Sequence, residues 1–161
     1  MDSELHRDVR PGTSAIVPAE WTALGTHRWR YIAPILSLEL HGEFQARDFS
    51  EYVEKYTVLY RQERNFGLLA DTTHLVGGAS AEIRRRVLKE LPNDGPAIPI
   101  ALLGASLPIR TVLTLISNAR RLLFRDEPAF AFFAKEAEAT SWLRLRVADR
   151  ALKLDRAATR S

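Results

Sequence analysis

The chain has 161 residues, 46% hydrophobic and 27% charged, with no cysteine, which fits one globular domain burying roughly 70% of its unfolded surface. The missing thiols exclude disulfides, thiolate metal sites and a cysteine nucleophile, and point to a reducing, cytoplasmic setting. The net charge of +3 divides unevenly, with 8 Lys/Arg against 11 Asp/Glu in residues 1–80 and 15 against 9 in 81–161, so a basic second half is set against a mildly acidic first half.

Residues 1–26 open polar, without apolar periodicity and with Pro11-Gly12, and are expected to form a partly disordered arm. Across 27–41 Trp29, Tyr31, Ile35, Leu36, Leu38 and Leu40 alternate with polar residues on either side of Ala33-Pro34. The pattern predicts an antiparallel pair of strands at 27–32 and 35–41, broken where proline removes a donor. Phe49, Tyr52, Val53, Tyr56, Leu59 and Tyr60 then recur at steps of three and four, an amphipathic helix over 47–64. Leu68-Leu69-Ala70-Asp71 reads as a buried strand, over 66–71, and 72–80 as a loop. A helix follows at 81–91, stopped by Pro92, then a buried strand at 97–104. The spacing of Ile109, Val112, Leu113, Ile116 and Leu123 gives a helix at 107–124 with Pro108 tolerated in its first turn. A short strand at 128–133 and a helix at 135–147 complete the domain, taken as 27–148. Residues 149–161 are set apart as a basic C-terminal extension. Strands alternating with helices dictate an α/β fold: a mainly parallel sheet of about five strands with an antiparallel edge strand, and about four helices.

Gly42 after the second strand, Asp71 at the end of GLLAD, the segment ALLGASLPIR, and AFAFFAKEAEATSWL together resemble the bacterial STAS-like proteins, relatives of the anti-sigma-factor antagonists often grouped with the CRAL-TRIO lipid-binding fold. The resemblance spans roughly 27–145. It implies a single-domain STAS-like fold and a non-enzymatic regulatory module that binds a protein partner through the 72–80 loop and helix 81–91. In the antagonists a kinase phosphorylates a serine in a D-S-S-G-like segment after the Asp-ended strand. Here that stretch is Gly77-Gly78-Ala79-Ser80-Ala81, in which Ser80 is the one hydroxyl and so the candidate phosphorylation site.

Asp71, His74, Gly77, Gly78, Ser80, Arg84, Arg85 and Lys89 are the candidate partner-binding residues, and with Arg86 they form a basic face suited to a partner with an acidic surface. Ser80 also stands where a helix N-cap is expected, and Gly77-Gly78 supplies a tight loop able to expose amides to an anion. Gly104 and Ser106 form a second candidate rim for an anion or other ligand. Ser106 lies between strand and helix as a nucleophile would, with Asp71 and His74 as the conceivable triad partners of a hydrolase, but Pro108 replaces the second glycine of a nucleophile elbow, and the residue is read as a helix N-cap. His6, His27, His41 and His74 lack metal-ligand spacing, no cofactor motif is present, and cations without interleaved aromatics argue against nucleic acid. The polar start and the Pro-interrupted apolar run at 97–109 predict neither a signal sequence nor a transmembrane span. The aromatic faces Phe49, Tyr52, Tyr56, Tyr60 and Phe130, Phe132, Phe133 read mostly as core at these spacings, and two alternatives accompany the interaction module: by analogy with CRAL-TRIO, a carrier of a small apolar ligand or lipid in an enlarged cavity, and an anion- or nucleotide-binding sensor. Self-association is compatible with all three.

Overall fold

Thr22–Leu24 (β1) and His27–Ile32 (β2) pair antiparallel around Gly25, whose φ of 59° is open to a residue without a Cβ. The structure, a computed structural model, describes residues 18–92, 94–124 and 129–160. β2 alternates as the sequence requires, with His27 and Trp29 buried and Arg28 and Ile32 exposed. It turns through a cis Ala33–Pro34 bond into Ile35–Gly42 (β3), setting Trp29 opposite Leu38 and Tyr31 opposite Leu36.

From β3 onward the chain alternates. Ala46–Glu63 (α1) leads to Gly67–Leu75 (β4), Ala81–Glu90 (α2) to Ile100–Leu103 (β5), and Leu107–Phe124 (α3) to Phe130–Phe133 (β6), before Glu136–Ala158 (α4). The six strands lie in sequence order, parallel from β3 to β6. Right-handed crossovers between successive neighbours place all three connecting helices on one face. The side chains agree. Leu36, Leu38 and Leu68 pack with α1 and with Ile83 of α2, and Ala70 and Leu102 pack with Ile109 of α3. Ile35, Leu69, Ala101 and Leu103 point the other way, onto Ala139 and Leu143 of α4. α4 lies against β4, β5 and β6 and comes close, since a Cβ on Gly67 would stand 2.9 Å from Leu143 and 3.2 Å from Val147.

The expected α/β class, the neighbouring places of the three central strands and the four helices match the structure, and four details differ. The sheet has six strands and two antiparallel pairings, β1 with β2 and β2 with β3, because Thr22–Leu24, inside the stretch read as an arm, adds an edge strand. β4 continues through Leu75, pairing His41 with His74 and Gly42 with Leu75 across a bulge, so the loop read at 72–80 shrinks to 76–80. β5 starts at Ile100 rather than at 97. The final helix runs to Ala158, absorbing most of the stretch read as a separate extension. The arm up to residue 17, the start of the 128–133 strand and the cation Arg125 lie outside the described residues.

Candidate functional site

The helical layer over β3–β6 does not close on the sheet. Between them lies a cavity of about 310 Å³, at the lower end of the range of small-molecule pockets, roughly 300–1,000 Å³. Its floor is sheet: Leu38, Ala70, Thr72, Ile100 and Leu102. One wall is the aromatic edge of α1, where Tyr52, Tyr56 and Tyr60 repeat every fourth residue and their rings follow one another at 5.4 and 6.3 Å. Ile83, Val87 and Leu91 of the α2 segment and Ile109, Val112 and Leu113 of α3 form the roof. The roof is thin for a physical reason. Among the described residues of α2 only Ile83 is buried, while Arg84, Arg85 and Lys89 are exposed.

The polar groups at this cavity are few. Thr72 is satisfied, its hydroxyl donating to the Leu103 carbonyl at 2.7 Å. Burial, with the neighbouring Tyr56 ring adding to it, pushes the Tyr52 phenol well above its ordinary range, so it stays a neutral hydroxyl. Burial likewise raises Tyr60, whose hydroxyl also meets Asp94. Arg84 is the one charged residue among the described lining. Its Nη1 donates to the Ala79 carbonyl at 2.8 Å, which holds the guanidinium at the N-terminal end of α2.

The sequence-predicted residues divide between the two faces of the sheet. On the helical face, Ser80 caps α2 as expected, accepting from the Ile83 N–H at 3.2 Å. Gly77 has a positive φ of 75°, and Gly78 is exposed beside it. Arg84, Arg85 and Lys89 remain exposed, whereas Arg86 leaves the basic face: it bonds Glu90 at 2.7 Å, Ser50 at 3.0 Å and the Ala46 carbonyl at 3.2 Å, and lies over Phe49. Arg86 therefore ties α2 to α1. Asp71 and His74 belong to the opposite face. Two residues beyond Leu69, Asp71 points to the α4 side, its carboxylate accepting from the Thr73 N–H at 2.9 Å. His74 stacks on His41, ring centres 5.4 Å apart, and His41 stands 3.4 Å from Glu39. Asp71 and His74 are thus not brought together with Ser80 and the α2 cations on one loop: β4 runs on past Asp71, and the bulge opposite Glu39–His41 resets the alternation, so that His74 falls on the same face as Asp71, away from α2.

Gly104 and Ser106 mark the turn from β5 into α3. Gly104 has a φ of 63° and packs on Thr73. The Ser106 carbonyl accepts from the Arg110 N–H at 2.9 Å, while Arg110 itself bonds the Ala105 carbonyl and covers Phe132. Among the described residues Asp71 and His74 make their bonds within the sheet, and no serine–histidine–carboxylate relay connects them to Ser106. The remaining histidine of the sheet, His27, is buried beside Asp48. Its Nδ1 accepts from the His41 N–H at 3.0 Å, which places the ring proton on Nε2, 3.4 Å from Asp48 Oδ2, and burial lowers its pKa below the ordinary histidine value. Among the described residues no group of three or more His, Asp or Glu is arranged to hold a metal ion, and no helix is long and apolar enough to cross a membrane.

Periodicity marks the tyrosines of α1 as core, and only the carrier alternative drawn from the resemblance set a cavity beside them. The available signal was chemical. Three phenol hydroxyls on the inward stripe of one helix require partners or space.

No protein-family model and no curated sequence matches the chain. Among solved structures it is similar to the anti-sigma factor antagonist SpoIIAA in its unphosphorylated form, at 17% identity and a TM-score of 0.48 over 73% of this chain and 97% of that one. It is also similar to an uncharacterized protein from Shewanella loihica PV-4, of the DUF3478 family with a SpoIIAA-like fold, at 16% identity and a TM-score of 0.47 over 89% and 98% of the two chains.

Proposed function

We propose that this chain is a non-enzymatic, STAS-like module that holds a small apolar ligand between its sheet and α1–α3 and offers the outer surface of α2 to a protein partner. The observation that carries the reading is the 310 Å³ cavity, lined almost throughout by apolar side chains and placed directly beneath the helix that bears the free cations. Water in such a space finds few polar partners, so an apolar occupant gains by displacing it. The neutral dye N-phenyl-1-naphthylamine tests this: its fluorescence rises on binding the wild-type protein, and the rise falls at least tenfold in Ala70→Leu, which fills the floor, and in Val112→Phe, which fills the roof. Equal dye binding in whichever variants keep the wild-type circular dichroism would overturn the reading.

The partner half of the reading draws on α2. Arg84, Arg85 and Lys89 form no ion pair among the described residues, in contrast to Arg86, and unpaired cations on a rigid helix steer an acidic surface. A phosphate on Ser80 would sit at the positive end of the α2 dipole, next to Arg84, and would change that surface by charge alone. The double variant Arg85→Glu/Lys89→Glu is expected to lose partners that the wild-type chain captures at low salt; retention of the same partners with the same salt sensitivity refutes the docking assignment.

A further inference from the structure

The cavity is largely apolar, with Tyr52, Tyr56, Tyr60, Thr72 and Ser117 the hydroxyl-bearing residues and Arg84 the one charged residue among its described lining. α1 and α2 both start at the C-terminal edge of the parallel strands and end at the opposite edge. Phe44, Ala79 and Arg84 therefore stand at one end of the space, and Tyr60, Pro96 and Ile98 at the other. Phe49 to Tyr60 alone covers roughly 16 Å at 1.5 Å per helical residue. At the first end Arg84 is anchored through one nitrogen to the Ala79 carbonyl, forms no ion pair among the described residues, and keeps further N–H donors for an acceptor at the cavity mouth. No acidic side chain lines the described cavity.

We propose that the occupant is a single-chain aliphatic carboxylate, its tail laid along the strands against the tyrosine wall and its carboxylate paired with Arg84. This rests on the reading of the cavity as a ligand site and adds the class of ligand. A guanidinium offers two parallel N–H bonds to a carboxylate. The first turn of α2 contributes its positive end. An alcohol of the same length gains the burial without the charge-assisted pair, and the cavity volume suits one chain rather than the two of a phospholipid.

Isothermal titration with decanoate and decan-1-ol, both below their aggregation concentrations, decides the matter. The wild-type chain is expected to bind decanoate at least tenfold more tightly than decanol. Arg84→Gln should bring decanoate down to the decanol affinity and leave decanol unchanged, Arg84→Lys should fall between, and Arg85→Gln, one residue outside the lining, should leave both ligands unaffected. Equal wild-type affinities for acid and alcohol, or an Arg84→Gln chain that retains decanoate at wild-type strength, overturns the assignment of Arg84 while leaving the cavity as a ligand site. Binding of neither alkyl probe, together with no response to the neutral dye, overturns both.

Discussion

Arg150→Ala is expected to cost about 3 kcal/mol of unfolding free energy, within the range for stripping one partner from a buried charged network. Arg150 is only 3% exposed. Its Nε donates to the Pro96 carbonyl at 2.9 Å, and its Nη1 to the Arg64 carbonyl and, at 3.4 Å, to Asn65 Oδ1. One guanidinium thus joins the end of α1, the entry to β4 and the approach to β5 to the same turn of α4. Asn65 returns the contact by donating to the Val147 carbonyl at 3.2 Å. Burial draws the Arg150 pKa below its ordinary value, yet an arginine remains charged at neutral pH, so alanine removes both a cation and the donors to two backbone carbonyls and the Asn65 amide. Urea denaturation measures the loss. Arg144→Ala, on the exposed side of the same helix, should change stability by less than about 0.5 kcal/mol. A loss below about 1 kcal/mol for Arg150→Ala would contradict the anchoring role.

Gly104→Ala is expected to be nearly as severe, at about 2–4 kcal/mol. Two costs add. The φ of 63° lies in the left-handed region, where a Cβ adds roughly 1–2 kcal/mol, and the new methyl would collide with the Thr73 hydroxyl while standing 3.0 Å from the Thr73 Cα and 3.1 Å from its Cβ. Since Thr73 sits inside β4, the strain passes into the centre of the sheet. Gly42→Ala separates the two costs, because its φ of 66° is similar and a Cβ there meets nothing within 4 Å. It should show the backbone cost alone. Equal losses at positions 42 and 104 would refute the steric contribution.

The main elements were legible because burial imposed periodicity. α1 and α3 carry inward stripes at helical spacing, and β3 alternates until it leaves the core. Thr72–Leu75 was read as loop because its outward residues, Thr73 and His74, are polar. α4 covers β4 only in part, so those side chains face solvent on a strand whose pairing with β3 resumes beyond the bulge, at His74 and Leu75. The end of α4 reads as an extension because Arg150 has the same pattern as the solvated cations, and no sequence pattern distinguishes a buried arginine aimed at three acceptors from one in water. β1 offers three residues, too few for alternation to register. The cavity entered only by analogy, as the carrier alternative, because spacing cannot reveal it. Apolar residues around an empty space have the same spacing as residues in contact, and only the distance between the layers tells the two apart.

That distance differs between the two sides of the sheet. Gly67 lets α4 settle against the strands until side chains touch, while across the same strands the roof helices rest on a handful of aliphatic groups and a void. One surface of the sheet is thus tightly covered and the other loosely. Added volume therefore meets Leu143 and Val147 at once on the α4 side of Gly67, whereas on the opposite face of the same strands it has open space to enter.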